Sequence, residues 1–578
     1  MTLQFRSMLG ALLLAAGCID GGGAAPTSCD GPCAEADQLG SIGPRGVLAA
    51  WQSCADPADP QSANDQCTTL RVPLDYLRPH GEQVALAVVR RPATDPAHRI
   101  GVLSYVYGGP GEPLIADGPL SVTDAVAERF DRVGFDPRGI ENSTRPRCYS
   151  DAVVARARVV DQWPADPAAA AVAGSLVHDV QQGCVANGPR NLALLAHMNT
   201  HDHASDLEAL RAALEAEDRA LHASDGQQMA DYRLNLYGSS YGTELVATYM
   251  TLYPAHVRSA VLDSPSAVYL RSWTDYSYEQ LQGFELALQR FFAWCSSPGN
   301  GCAFGAGRPT RQAVADAFDA LTRALDQRKA MGAPIQYHAP DRVVTIDSTK
   351  VAATVPTEPG FDVATRHNDY ANWIAWGDAL HKVELSVSGA SGGDAGQALI
   401  DNFLWIGGID PDDESYTIAY PAFKANDKPM VHHDGTPYTY AQYFELLRHQ
   451  LRVAAPRTAM AGDFDLIGVQ WPTRSPWAPL AIDARGAPPA LLISSAYEAP
   501  CPTGWADSVR ALLGNGSYLL RHDADGHVLG KKLACTRAEM ERYYLALTPP
   551  GTCVGLSPEI PWDLSIVPPR LLARDQSL

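Results

Sequence analysis

The chain has 578 residues, 46% of them hydrophobic and 19% charged, with a formal net charge of −20 at pH 7. That composition is globular and excludes a mostly disordered chain. The acidic balance excludes nucleic acid as the main partner, because phosphate binding needs a basic footprint.

In chain order, residues 8–17 are the one stretch apolar enough for a membrane, and ten residues are too few to span one as a helix. Arg6 precedes them, and Ala15, Ala16 and Gly17 lead to Cys18. Residues 1–18 therefore read as a secretory signal. Its end has the pattern of a bacterial lipobox, in which Cys18 is cleaved to become the first residue and is acylated. The place three before Cys18 holds Ala15 rather than Leu. The alternative is ordinary secretion. Residues 19–50 are expected to be a tether and irregular chain, and membrane association is expected only through a lipid at Cys18. Export makes disulfides the default for the 12 cysteines. Closeness in sequence suggests Cys29–Cys33, Cys54–Cys67, Cys148–Cys184, Cys295–Cys302 and Cys535–Cys553, with Cys501 left over.

Strands are predicted at 70–73, 83–90 and 101–107, the last ending in Gly108-Gly109-Pro110-Gly111. A short helix is predicted at 125–130 and a strand at 132–135. Helical patterns follow at 167–187, with Asp166 as cap, and at 204–215, where Leu207, Leu210, Ala213 and Leu214 share a face. A strand at 231–237, a helix at 243–252 and a strand at 260–263 come next. Residues from about 265 to 485 are helical, aromatic and loop-rich. Strands return at 490–494 and 517–521, with a helix at 505–513 between them. Strand alternating with helix implies an α/β fold with a mostly parallel sheet. Glu498 lies 258 positions after Ser240, too far for an uninterrupted sheet, so a large helical insertion splits it. The expected division is 51–264 core, 265–487 cap and 488–578 core.

Gly238-Ser239-Ser240-Tyr241-Gly242 fits G-x-S-x-G, in which a nucleophile sits on a sharp strand-to-helix turn that larger neighbours would obstruct. Gly389-Ala390-Ser391-Gly392-Gly393 also fits, but it lies in a Ser/Gly/Ala loop. The strand before Ser240 and the helix after it select Ser240. A serine hydroxyl needs a base, and the base an orienting acid. In this fold the order is nucleophile, acid, histidine. His527, after the last strand, is the expected base, with His522 second. Glu498, the first carboxylate after the strand at 490–494, is the expected acid. The oxyanion donors are the N–H groups of Tyr241 and Gly109, since Pro110 has none. No cofactor and no metal are expected: His201-Asp202-His203 fits a helix start, and His432-His433 is a loop pair.

These segments together resemble the secreted tripeptidyl aminopeptidase branch of the prolyl-aminopeptidase-like α/β-hydrolases, with a TAP-like C-terminal region. The matching motifs are CTTLRVPLDY at 67–76, YGGPG at 107–111, GFDPRGIENS at 134–143, YGSSYGTELVATY at 237–249, VLDSP at 261–265 and DGHVLGKKLAC from 525. The resemblance implies an α/β-hydrolase fold and a serine exopeptidase acting on peptides with a free N-terminus. It implies Ser240 as nucleophile, His527 as base, and Glu498 where the family usually has Asp in a D-x-x-T-P context. Here that context reads Glu498-Ala499-Pro500-Cys501-Pro502. The family tends to have small residues after GGPG; here Glu112 and Pro113 follow. It often carries a cysteine pair late in the cap, absent here after Cys302. Family members bind the substrate's amine with cap carboxylates; none is assigned in this sequence, the candidates being Glu112 beside the oxyanion loop and Glu358 in the cap. A carboxylesterase or lipase on the same machinery, and an envelope lipoprotein with a decayed site, are the competing readings.

Overall fold

A computed structural model describes residues 46–553 apart from 56–59, 116–119, 163, 165, 225–230, 339–342, 357–358, 361–369, 391–396, 398, 400–408, 411, 433, 447–451, 460–465 and 552. Cys18, Cys29, Cys33, Glu358, Ser391 and His433 lie outside the described residues.

The strands of the main sheet are β1 (Val47–Leu48), β2 (Gln52–Ser53), β3 (Gln66–Pro73), β4 (Gln83–Arg91), β5 (Gly101–Val106), β6 (Phe130–Phe135), β7 (Leu234–Ser239) and β8 (Val257–Asp263). After a two-stranded ribbon, β9 (Ile335–His338) and β10 (Val343–Ile346), the main sheet is completed by β11 (Leu491–Tyr497) and β12 (Tyr518–Asp525). Its order is β1-β3-β4-β6-β5-β7-β8-β11-β12, with β2 beside β3. Pairs from β6 to β12 along this order are parallel, and those from β1 to β6 through β3 and β4 are antiparallel. β5, β6 and β7 are buried along their whole length, because helices cover both faces of a parallel sheet. β4 alternates buried and half-buried positions, as a strand near an edge does.

The main helices are α1 (Pro167–Ala186), α2 (Thr200–Leu221), α3 (Tyr241–Leu252), α4 (Trp273–Cys295), α5 (Arg311–Ala330), α6 (Ala371–Val387), α7 (Glu414–Asp427), α8 (Tyr440–Leu446), α9 (Gly504–Leu513) and α10 (Ala534–Ala546). Their starts follow local chemistry. Asp166 accepts the Ala168 and Ala169 N–H groups, Asn199 accepts that of Asp202, and Asp413 accepts that of Tyr416. The Asn199 cap starts α2 four residues earlier than its apolar periodicity suggests.

Between β8 and β11 the chain builds a second layer of helices with its own aromatic core, including Phe291, Trp294, Trp373 and Trp376. Segments before β7 join this layer. Cys148, Leu176 and Val180 pack with Ile418, Phe423 and Trp471, and Gln181 donates to the Val469 carbonyl at 2.7 Å. The disulfides Cys54–Cys67, Cys148–Cys184, Cys295–Cys302 and Cys535–Cys553 form as expected, and Cys501 is free and buried. Four disulfides fit an exported protein.

Candidate active site

Ser240 stands between the end of β7 and the start of α3 with φ 54° and ψ −125°. A non-glycine residue is strained there, and such strain persists only where the surroundings enforce it. The flanking glycines are the enforcing elements. A Cβ on Gly238 would lie 2.4 Å from the Gly242 carbonyl oxygen, and one on Gly242 would lie 2.3 Å from that of Val106. The Ser240 N–H donates to the Asp263 carbonyl at 2.9 Å, tying the turn to the neighbouring strand. The hydroxyl is thus held at the C-terminal end of the central strand, where open α/β sheets place their sites.

Glu498 follows β11 and His527 follows β12. His527 Nδ1 bonds Glu498 Oε1 at 2.5 Å, and Glu498 is 1% exposed. Their loops are fastened at several points. Ser495 Oγ donates to the Gly526 carbonyl at 2.5 Å. The Val528 N–H donates to Ser264 Oγ at 2.9 Å, with Val528 and Ser264 both at positive φ. The Gly530 N–H donates to Asp263 Oδ1 at 3.1 Å, and Tyr237 OH donates to Asp263 Oδ2 at 2.7 Å. Asp263 therefore holds the Ser240 turn through its backbone and the His527 loop through its side chain. Burial pushes its carboxyl up to about 6, partly opposed by those two donors and reinforced by the Glu498 charge. His522 is elsewhere: it is buried in β12, paired with Thr536 Oγ1 at 2.9 Å, and burial lowers its pKa to about 4.

The turn after β5 lies against Ser240. A Cβ on Gly108 would sit 2.9 Å from Ser240 Cβ, and Gly109 and Gly111 have φ of +94° and +116°. The Gly108 N–H donates to Glu112 Oε2 at 2.9 Å. The Asp-Pro-Arg-Gly segment after β6 supports this turn. Asp136 Oδ1 accepts the Leu114 and Ile115 N–H groups at 2.8 and 3.0 Å, and fully buried Arg138 grips Asp206 through Nε at 2.8 Å. Helix α7 lies above it: a Cβ on Gly111 would meet Tyr416 at 3.4 Å and Ala419 at 3.5 Å. The Tyr241 hydroxyl bonds Thr200 Oγ1 at 2.8 Å, and Thr200 donates to Asp427 at the end of α7.

Two further residues lie near the site: Cys501, which the sequence marked only as an unpaired cysteine after Glu498, and Lys424, which it did not mark. Cys501 Sγ lies 3.9 Å from Ser240 Oγ, and burial raises its thiol pKa, so it is a neutral neighbour. Lys424, on α7, has its ammonium 4.5 Å from the Trp273 ring and 4.1 Å from the Tyr276 ring. Both depend on segments far apart in sequence. Among the described residues one trio of metal-type ligands comes together: Glu498, Cys501 and His527. The carboxylate is committed to the imidazole and the thiol is protonated, so the trio is better suited to moving protons than to binding a cation. His201, Asp202 and His203 form the first turn of α2. Asp202 bonds His197 at 2.8 Å, and His201 stacks on Trp477 with ring centres 3.8 Å apart.

Comparison with known proteins fits this geometry. Residues 102–306 match the α/β hydrolase fold model, and residues 460–553 match the TAP-like protein model. The tripeptidyl aminopeptidase of Streptomyces lividans is 27% identical over 510 residues, covering 86% of this chain and 84% of that protein. The serine protease Hip1 of Mycobacterium tuberculosis is 35% identical over 272 residues, covering 45% of this chain and 47% of that one. Carboxylesterase B of the same species is 33% identical over 220 residues, covering 36% and 40%. With the strained serine turn, the buried carboxylate–imidazole pair and these relatives together, the chain is a serine hydrolase of the α/β-hydrolase fold, homologous to the tripeptidyl aminopeptidases.

Proposed function

We propose that the protein is an exported serine aminopeptidase that cleaves peptides near a free N-terminus. The carrying observation is that Ser240, Glu498 and His527 stand at the ends of three strands of one sheet, with Ser240 Oγ 3.9 Å from Cys501 Sγ and that thiol within 4.8 Å of the Glu498–His527 pair. Ser240 attacks the scissile carbonyl while His527 takes its proton. Glu498, bonded to Nδ1, leaves Nε2 as the basic nitrogen and stabilises the imidazolium that forms. The Tyr241 and Gly109 N–H groups receive the oxyanion. His527 then protonates the leaving amine, and water releases the acyl group by the reverse sequence of transfers.

Residues 265–487 act as the cap, with the helices around Cys148–Cys184 packed beside them. Helix α7 over Gly111 closes one side of the cleft, which favours chain ends over interior bonds. The apolar segment before Cys18 supports export, and Cys18 itself is the proposed site of a lipid anchor.

The test uses the folded protein, aminoacyl and tripeptidyl p-nitroanilides, short p-nitrophenyl esters and a fluorophosphonate probe. Anilide turnover and probe labelling are expected, and both are expected to vanish in S240A. Ester turnover without anilide turnover would replace the peptidase reading with a carboxylesterase. Absence of any Ser240-dependent reaction would make the chain a non-catalytic envelope protein.

A further inference from the structure

The last residue of α7 is a carboxylate, Asp427, at an end where its own helix does not favour one. Negative charge at a helix C-terminus opposes the macrodipole. Its partner is another helix. Thr200 opens α2, where the first N–H groups have no acceptor within the helix. Asp427 accepts the Thr200 N–H at 3.1 Å and the Thr200 hydroxyl proton across 2.5 Å. A threonine hydroxyl has one proton, and this one is committed to Asp427. In the 2.8 Å contact between Thr200 Oγ1 and the Tyr241 hydroxyl, Tyr241 is therefore the donor. The result is a directed chain, Tyr241 to Thr200 to Asp427, that ends on a charge.

Tyr241 offers its backbone N–H to the oxyanion, and its buried side chain is pinned at the far end by this chain. The other donor, Gly109, belongs to the Gly108–Gly111 turn, and α7 bears on that turn too. Tyr416, Ala419, Phe423 and Asp427 fall at i, i+3, i+7 and i+11, one face of the helix. A Cβ on Gly111 would meet Tyr416 at 3.4 Å and Ala419 at 3.5 Å. The Phe423 ring lies edge-on to that of Tyr241, with centres 6.0 Å apart. The helix is itself fixed to the core at both ends. Ser415 accepts the Glu141 N–H at 2.8 Å, and Asn426 donates to the Leu195 and Met198 carbonyls at 2.7 and 2.9 Å. One face of one helix thus touches both elements that carry the oxyanion donors.

We infer that Asp427 and Thr200 are positioning residues for the oxyanion hole, holding Tyr241 at a fixed distance from the Gly109 turn through α7. The inference rests on Ser240 as nucleophile and on the Tyr241 and Gly109 donors, and it holds for a peptide or an ester substrate alike. An oxyanion donor acts when negative charge develops, so its misplacement lowers kcat and leaves KM almost unchanged. The chain also carries a pH dependence. Burial pushes the Asp427 carboxyl up to about 6, opposed by Lys428 and the Thr200 donors and reinforced by Glu244. Glu244 comes from α3; His201 of α2 and Arg271 after β8 line the same cavity as Asp427 and Lys428. At lower pH the chain ends on a neutral carboxyl.

The test measures kcat and KM for p-nitrophenyl acetate and for the aminoacyl or tripeptidyl anilide that the enzyme cleaves. The proteins are the parent, D427N, T200S, T200V, Y241F and the double variant D427N/Y241F, assayed from about pH 5 to pH 8. At the upper pH D427N, T200V and Y241F are each expected to lower kcat about tenfold on both substrates with KM unchanged, short of the roughly 10²–10³-fold loss of a whole donor. T200S keeps the hydroxyl and should stay within about twofold of the parent. The double variant should cost no more than either single change, because both break one chain. The ratio of parent to D427N kcat should fall from about ten toward one as the pH drops through about 6, since the parent then loses the same charge. Titration of His527 affects both proteins and cancels in that ratio. A raised KM at unchanged kcat, parental kcat in D427N and Y241F, additive losses in the double variant, or a ratio constant with pH overturns the inference and leaves the hydrolase reading standing. The expected kcat losses on the ester alone support the inference while replacing the peptidase reading. No Ser240-dependent turnover of any substrate overturns both. If D427N does not fold, as judged by circular dichroism, the contrast of T200S with T200V and the kcat of Y241F decide the matter.

Discussion

At the scale of single residues, the Glu498–His527 bond decides which imidazole nitrogen is basic. Glu498 accepts from Nδ1, so the free base sits on Nε2. E498Q places an amide opposite that nitrogen and allows the wrong tautomer. It is expected to lower kcat by about 10³–10⁴-fold, with little change in the far-ultraviolet circular dichroism spectrum. An unchanged kcat would remove Glu498 from the machinery. The structure buries the Glu498 side chain almost completely. Ser240, Glu498 and His527 were legible in the sequence because each lies in a short motif at the end of a recognisable strand. Asp263 and Lys424 were not, and Cys501 was legible as an unpaired cysteine but not as a neighbour of Ser240. Asp263 acts on Gly530, 267 positions away, and no local pattern encodes a contact of that span. Glu112 stood beside a motif and so was legible as a candidate, although its geometry was not.

At the scale of elements, the strand–turn–helix around Ser240 depends on two glycines with different neighbours. Gly238 faces the start of α3, and Gly242 faces the end of β5. G242A forces a methyl against the Val106 and Tyr107 carbonyls, both backbone atoms that cannot rotate away. The expected outcome is loss of soluble protein, or folded protein with probe labelling reduced at least tenfold. Wild-type labelling and melting temperature would show that β5 and α3 can separate freely. The central strands were readable from short, mainly apolar runs bounded by glycine-rich turns, although buried polar residues such as Asp131 and Asn235 interrupt them. β1 and β2, two residues each, carry no periodicity, and they exist because β3 offers an edge to pair with. The β9–β10 ribbon in the helical region was missed for a similar reason: four-residue strands do not stand out against aromatic-rich helices.

At the scale of the molecule, the helical layer is braced to the sheet through charge as well as apolar packing. Lys428, just past α7, pairs with Glu244 in the first turn of α3, and both are buried. Glu244 also accepts from Ser266 at 2.6 Å. Lys428 holds the Glu244 carboxyl below its usual range against the opposing effect of burial. K428M removes one partner and leaves a buried carboxylate, a loss of about 3–5 kcal/mol for such pairs. A clear fall in Tm is expected, and replacing both residues with E244L and K428M should recover most of it. An unchanged Tm in K428M would show that water reaches the pair. The membership of residues 148–198 in the helical layer was not legible, because it rests on bonds such as that of Gln181 to Val469, 288 positions apart.

The buried thiol beside Ser240, the nucleophile proposed above, bears on inhibitor design. An electrophile that acylates or phosphonylates Ser240 delivers its substituents to within a few ångströms of Cys501. A reagent carrying a second, slow thiol-reactive group would be captured chiefly after the first bond has formed, because the buried thiol is weakly reactive and only tethering raises the local concentration enough to react with it. Such a two-point reagent would bridge adjacent side chains in this enzyme, so that hydrolysis at Ser240 alone would not release it. Cys501 thus offers a chemical handle, beside the serine, by which this hydrolase can be silenced for good.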